Sequence, residues 1–199
     1  MKDQLKNKTE KEDLKWVRKA KKGNQKAFEK LVIKYQKLIY YSVRKIVLDH
    51  DNSNDIVQDT FVKAYSNLYR FGEQLPFYPW LHRIAINTTL NFQTRISRAK
   101  ETYTNSEDNE IKQVALNNKN PLEEVIENEF QKKVTEALHR LTFDQRMVFI
   151  LRTSEELSYQ EISEQLDISI GTVMSRLSRA RAKLKQLLQQ YLSNNEIKV

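Results

Sequence analysis

Residues 157–188 read LSYQEISEQLDISIGTVMSRLSRARAKLKQLL, and the way this stretch divides decides the fold. Ser158-Tyr159-Gln160-Glu161 has the Ser-x-x-Glu spacing of a capping box, in which serine and glutamate side chains satisfy the orphan amides of a helix start. The short helix behind it, through Leu166, gives way to Asp167-Ile168-Ser169, and Ser169 then caps a long helix expected to run to about Tyr191. Two helices joined by a three- to four-residue turn, the second strongly basic, predict a helix-turn-helix. From Ile168 to Asn195 there is no acidic residue, whereas Arg176, Arg179, Arg181, Lys183 and Lys185 are present. A helix in a DNA major groove meets base edges with its N-terminal side chains and phosphates further along. That reading sets Thr172, Met174, Ser175, Arg176 and Arg179 opposite bases, and Arg181, Lys183 and Lys185 opposite phosphates. A solvated basic face on a bundle helix is the plain alternative. The capped turn ahead of the run and the missing acids argue against it.

Working outward, Val125, Ile126, Phe130, Val134, Ala137, Leu138 and Leu141 mark one amphipathic helix, and Met147, Val148, Ile150 and Leu151 a second. Residues 98–121 are rich in Asn, Ser, Glu and Lys, with no aromatic except Tyr103. Such a composition buries too little apolar area to offset ordering entropy, so it reads as a linker with Pro121 near the start of the next helix. Further upstream, Leu14 and Val17 begin a short helix that Gly23 ends, and Asn24 caps a second. Phe28, Leu31, Val32, Tyr35, Leu38, Ile39, Val43 and Ile46 recur along that second helix at three- and four-residue steps. A third helix is expected from about Ser53 or Asn54, with Ile56, Val57, Phe61, Ala64, Tyr65 and Leu68 on one face. Phe71 to Tyr78 reads as a loop, after which Pro79 opens a fourth helix with Trp80, Leu81, Ile84, Ala85 and Thr88 facing inward. The fold class is therefore all-α: two small helical domains, 1–97 and 122–199, joined by a flexible linker over 98–121.

Composition agrees. The 199 residues hold only three Gly and three Pro, where an average chain has roughly 14 and 10. That leaves no Gly-rich phosphate loop and little turn chemistry for sheets. Zero Cys removes disulfide frameworks, thiol nucleophiles and Cys-based zinc sites. His50, His82 and His139 lack ligand spacing, so neither a metal nor a catalytic constellation is expected, and no cofactor. No apolar run approaches the ~20 residues a bilayer needs, and residues 1–13 are too polar for a signal peptide, which points to a soluble chain in the cytoplasm. The net charge of +8 is unevenly placed: +9 over 1–97, −6 over 122–167 and +5 over 168–199.

The 157–188 stretch closely resembles region 4 of bacterial RNA polymerase sigma factors of the extracytoplasmic function (ECF) group, the sigma-E-like group 4 of the sigma-70 family. GNQKAFEKLVIKYQ (23–36), NDIVQDTFVKAY (54–65) and FYPWLHRIAINTTLNF (77–92) resemble region 2 of the same group. The resemblance covers about residues 14–97 and 122–190. It implies a non-enzyme that binds core RNA polymerase through the clamp helices of the largest subunit and the flap of the second-largest. It also implies recognition of the −35 and −10 promoter elements, opening of the DNA for transcription initiation, and an anti-sigma factor as a further partner.

Residue by residue, Asp55, Ile56, Gln58, Asp59 and Phe61 match the family's polymerase-binding motif. Asp55 and Asp59 are one helical turn apart and share a face, a like-charge pair suited to a basic partner. Lys63, Phe71, Trp80, Arg83 and Asn87 match positions that contact the −10 non-template strand and hold one base out of the stack, the plain alternative being Trp80 as a core residue and Phe71 as a loop plug. Stacking on an aromatic ring is worth about 1–3 kcal/mol per base, comparable to the few kcal/mol that extrusion costs. From Gln74 to Lys100 there is no acid, while Arg83, Arg95, Arg98 and Lys100 are present, with Arg95 and Arg98 placed for phosphates. The resemblance is imperfect at Met174, where relatives commonly carry a basic residue, and at Ser178 and the GEQLP loop, so the promoter sequence and the identity of the flipped base stay open. A stand-alone helix-turn-helix regulator would need a dimerisation helix, which residues 14–97 do not resemble. A resolvase-type recombinase would need a nucleophile with supporting acids or a metal site.

Overall fold

A computed structural model describes the backbone over residues 2–104 and 129–195, and side chains over 10–99 and 132–189. Among the described residues eight helices follow one another: α1 (Lys2–Lys21), α2 (Gln25–Val47), α3 (His50–Asn67), α4 (Phe77–Thr104), α5 (Glu129–His139), α6 (Phe143–Thr153), α7 (Tyr159–Leu166) and α8 (Ile170–Asn195). A 3-10 turn, Leu68–Arg70, follows α3. No strand occurs among the described residues, as the scarcity of Gly and Pro predicts. The chain forms two compact units, one holding α1 to α4 (residues 45–50 apart) and the other α5 to α8.

In the first unit, Gly23 ends α1 where expected. Its φ of +86° is a left-handed conformation that a Cβ disfavours, and it lets the Asn24 amide reach back to the Lys19 carbonyl at 3.1 Å. Asn24 Oδ1 then accepts from the Ala27 amide at 3.0 Å, the predicted cap. Val17, Leu31, Ile39, Ile56, Leu81 and Ile86 are fully buried, each contributing about 1.5–3 kcal/mol of burial. Four boundaries differ from the sequence reading. α1 begins at Lys2, well before Leu14, and α3 begins at His50 rather than Ser53. α4 begins at Phe77 instead of Pro79, so the loop is Phe71–Pro76; Pro79 falls in the first turn, where no helical partner for its missing N–H is needed. α4 also continues to Thr104, seven residues into the segment read as linker. The remainder of that segment, Pro121, Val125 and Ile126 lie outside the described residues.

The second unit is organised around α8, which packs against α5, α6 and α7. Val173, Leu177, Ala180 and Leu184 form its buried stripe; Ala137 and Leu141 close one end of it. Hydroxyl caps start three consecutive helices. Ser158 accepts from the Glu161 amide at 3.2 Å while its own amide donates to the Glu161 carboxylate at 2.8 Å, the predicted capping box. Ser169 accepts from the Thr172 amide at 3.1 Å. Thr142 and Gln145 form a further box at α6, whose Thr-x-x-Gln spacing passes unnoticed in the sequence. Asp167, in the left-handed region at φ 52°, ends α7 and turns the chain into α8. The Ser158 hydroxyl, followed by its backbone amide, holds the Glu161 carboxyl below the usual carboxylate range. A lowered folded-state pKa adds stability above the carboxylate range and loses it as pH falls through that pKa. Ser158→Ala is therefore expected to cost about 1 kcal/mol in urea unfolding at pH 7, with the gap to the parent protein narrowing below pH ~4.

Candidate nucleic-acid and partner interfaces

Three surfaces carry the residues singled out above. The first is a groove of about 480 Å³ between α2 and α3, lined by Phe28, Val32, Val57, Gln58, Phe61 and Tyr65. Tyr65 packs edge-on to Phe28 with centroids 4.9 Å apart. Sequence periodicity assigns Val57 and Tyr65 to the core, but they line this groove instead, and Leu38 is 52% exposed. The polymerase-motif residues separate by helical angle. Asp55, Gln58 and Asp59 are exposed; Ile56 is 1% exposed and Phe61 7%. Ile56 is thus a core anchor that fixes the rotation of α3, correcting its expected role as a contact, and Phe61 forms the groove floor. Asp55, Asp59 and the exposed Val62 share the flank next to the groove.

The second surface lies on α4. Trp80, Arg83 and Asn87 follow at three- and four-residue steps and share one stripe; Trp80 is half-buried and the other two exposed. Trp80 stands edge-on to Phe71 at 5.2 Å and tilted on Phe77 at 5.6 Å. Phe71 is 3% exposed, so its ring is a plug beneath Trp80 and not a surface that meets a strand, which corrects the expected contact. Lys63 reaches across from α3, its Nζ donating to Thr88 Oγ1 at 3.2 Å beside Asn87. Arg95 is exposed over the Phe92 ring at 5.4 Å, and Arg98 is exposed further along.

Against the first turn of α4 lies a buried polar cluster absent from the sequence reading. Asp13 of α1, 2% exposed, accepts from both Lys34 Nζ and Tyr35 Oη. Burial first, and the Asp13 carboxylate second, raise the Tyr35 phenol far above its ordinary range. The Tyr35 ring stacks on Tyr78 and tilts against Phe77, both 5.7 Å away at the start of α4. A lone Asp in a charged helix gives no sequence signal for such a role.

The third surface is the exposed side of α8. On either side of the buried stripe run two shoulders, Thr172–Arg176–Arg179–Lys183 at steps of four, three and four and Met174–Arg181–Lys185 at steps of seven and four. Gly171, Ser175, Ser178 and Ala182, all small, occupy the crest between them. Met174 is 53% exposed, and Arg179, Arg181, Lys183 and Lys185 are exposed. Thr172 Oγ1 lies 2.8 Å from Ser169 Oγ and Ser175 Oγ donates to the Thr172 carbonyl at 3.1 Å, so both hydroxyls already serve the helix. Arg176 is ion-paired with Asp144 of α6 at 2.6 Å, a partner that sequence reasoning missed. Among the described residues no group of three or more His, Asp or Glu is arranged to hold a metal, and no helix is long and apolar enough to cross a membrane.

Comparison with known proteins gives the same division. Residues 31–99 match Sigma-70 region 2, and residues 131–184 match Sigma-70, region 4. The RNA polymerase sigma-H factor of Pseudomonas aeruginosa is 34% identical over 188 residues, spanning 92% of this chain and 97% of that protein. The ECF RNA polymerase sigma-E factor of Escherichia coli is 34% identical over 181 residues, 87% of this chain and 92% of that one. The sigma factor RpoE of Bartonella quintana, solved in complex with the anti-sigma factor NepR, aligns with a TM-score of 0.62 at 27% identity over 82% of this chain and 98% of its own. CnrH, solved with the cytosolic domain of CnrY, aligns at 0.58 and 27% identity over 90% and 98%. With both regions present in order and near-full-length relatives one-third identical, the chain belongs to the sigma-70 family of RNA polymerase sigma factors, in its ECF group.

Proposed function

We propose that this protein binds core RNA polymerase in the cytoplasm, brings it to promoters through their −35 and −10 elements and promotes DNA opening, leaving bond formation to the polymerase. The observation that carries this reading is the presence, on one chain, of two exposed acid-free faces, α4 from Trp80 to Arg98 and α8 from Thr172 to Lys185. Separate faces of this kind suit two separated DNA elements, and their cations favour phosphates at both. Trp80, Arg83, Asn87 and Lys63 serve the −10 strand in this proposal, with Arg95 and Arg98 on its phosphates. Asp55, Gln58 and Asp59, on the rim of the α2–α3 groove, meet the clamp helices of the largest polymerase subunit, and the second unit meets the flap of the second-largest. An anti-sigma factor competes for these surfaces, a reading supported by the anti-sigma-bound RpoE relative. Purified protein added to core polymerase should yield run-off RNA from a selected promoter; no more RNA than core alone makes would overturn the proposal.

On α8, Arg179 reaches bases from one shoulder, joined by Arg176 once it exchanges Asp144 for the DNA, while Met174 on the other presents only apolar surface, suited to a thymine methyl. Replacing one −35 thymine by uracil removes that methyl alone. It is expected to weaken binding about fourfold in the parent protein and to leave Met174→Ala unchanged, as read by competition binding at fixed salt.

A further inference from the structure

The loop Phe71–Pro76 leads into α4, which carries the Trp80–Arg83–Asn87 stripe, and its Phe71 ring packs against Trp80 at 5.2 Å. The loop has little structure of its own: the Phe71 amide donates to Leu68 O at 3.1 Å, and the Leu75 amide to Gly72 O at 3.3 Å. Leu75 at its tip is 64% exposed. The Phe71 ring also packs on Phe77 and Trp80 of α4, and among the described residues two polar ties reach the loop from α1. Lys21 Nζ donates to the Phe71 carbonyl at 2.7 Å and sits 5.8 Å over the Phe71 ring. Arg18 Nε donates to the Glu73 carboxylate at 2.8 Å. Arg18 and Lys21 are three residues apart and share a face of α1. That helix is seated by buried Val17 and Ala20 and by Asp13 on Lys34 and Tyr35, and Tyr35 in turn stacks on the first turn of α4. α1 lies ahead of the residues that match region 2, which begin at 31.

An exposed ion pair such as Arg18–Glu73 contributes little to stability, so its value lies in where it holds the loop. A base-reading pocket needs its walls fixed within a fraction of an ångström, and side chains on a rigid helix achieve this better than a loop does alone. We propose that Arg18 and Lys21 are positioning residues that set the shape of loop 71–76, and through it which −10 base is accepted. This rests on the reading of the α4 stripe as the −10 strand site.

The test uses holoenzyme assembled from core polymerase and the full chain, with −10 single-stranded oligonucleotides carrying each of the four bases at the extruded position. Lys21→Met is expected to reduce the ratio of best to worst base about fivefold or more, with the worst base bound as before and the salt slope unchanged. Lys21→Arg, which keeps a donor, should preserve the ratio. Arg18→Glu should lower it, and Arg18→Glu combined with Glu73→Arg should restore it. Glu73→Gln, at the loop itself, is a milder variant that leaves α1 intact and should lower the ratio in the same direction. Unchanged ratios in Lys21→Met, Arg18→Glu and Glu73→Gln would overturn the proposal. So would uniform weakening with a salt slope shallower by about one, which marks a direct phosphate contact. If the parent holoenzyme shows no base preference, the −10 assignment fails and the positioning role fails with it; a parent that discriminates alongside variants that discriminate equally well removes the positioning role alone.

Discussion

Asn87→Ala is expected to lower open-complex formation at a matched promoter by about 5- to 150-fold, the equivalent of about 1–3 kcal/mol for one well-made side-chain-to-base pair, while affinity for core polymerase should stay within twofold. Asn87 is exposed, but its neighbours Ala85 and Ile86 are fully buried and hold the α4 backbone in place. Removing the amide should therefore remove the proposed base contact without loosening the helix. The acids proposed to meet the polymerase, Asp55 and Asp59, lie on α3, so the two activities are expected to separate. A template with the −10 bases already unpaired should recover most of the lost activity, because the extrusion step is bypassed. Equal loss of polymerase binding and promoter opening would instead assign Asn87 to the packing of the bundle.

The second large effect is on stability. Asp13→Ala strips the carboxylate from between Lys34 and Tyr35 and leaves a largely covered ammonium and a buried phenol without their acceptor. Breaking such a pair from one side costs about 3 kcal/mol, the lower part of the range for buried ion pairs because Lys34 keeps some exposure. A unit of this size then melts on the order of 10 °C lower. Tyr35→Phe deletes one hydrogen bond and keeps the ring stack on Tyr78, so it should cost only about 1 kcal/mol. Calorimetry that finds the two variants equal would show that the ammonium is satisfied elsewhere.

How much of this was legible in the chain depends on what kind of signal each feature leaves. The helix-turn-helix stands out because Ser158, Glu161 and Ser169 act within four residues of their partners, and short-range chemistry is written in spacing. The buried stripe of α8 is legible for the same reason. Helix starts at His50 and Phe77 were misplaced because Ser53 and Pro79 are strong boundary residues that also fit inside a first turn. Phe71 and Ile56 match a family motif, and a motif does not say which of its members face inward. Asp13 with Lys34, Arg176 with Asp144 and Lys21 with Phe71 join residues 21 to 50 positions apart, and no periodicity encodes such pairings.

The glycine, serines and alanine along the crest of α8 have a mechanical consequence. With nothing bulky at its prow, the rod can settle close to the floor of a groove, and its long side chains then meet the walls sideways. Selectivity should accordingly reside in the two flanks, and adding even a few carbons at Ser178 or Ala182 would lift the whole rod and blunt every contact at once.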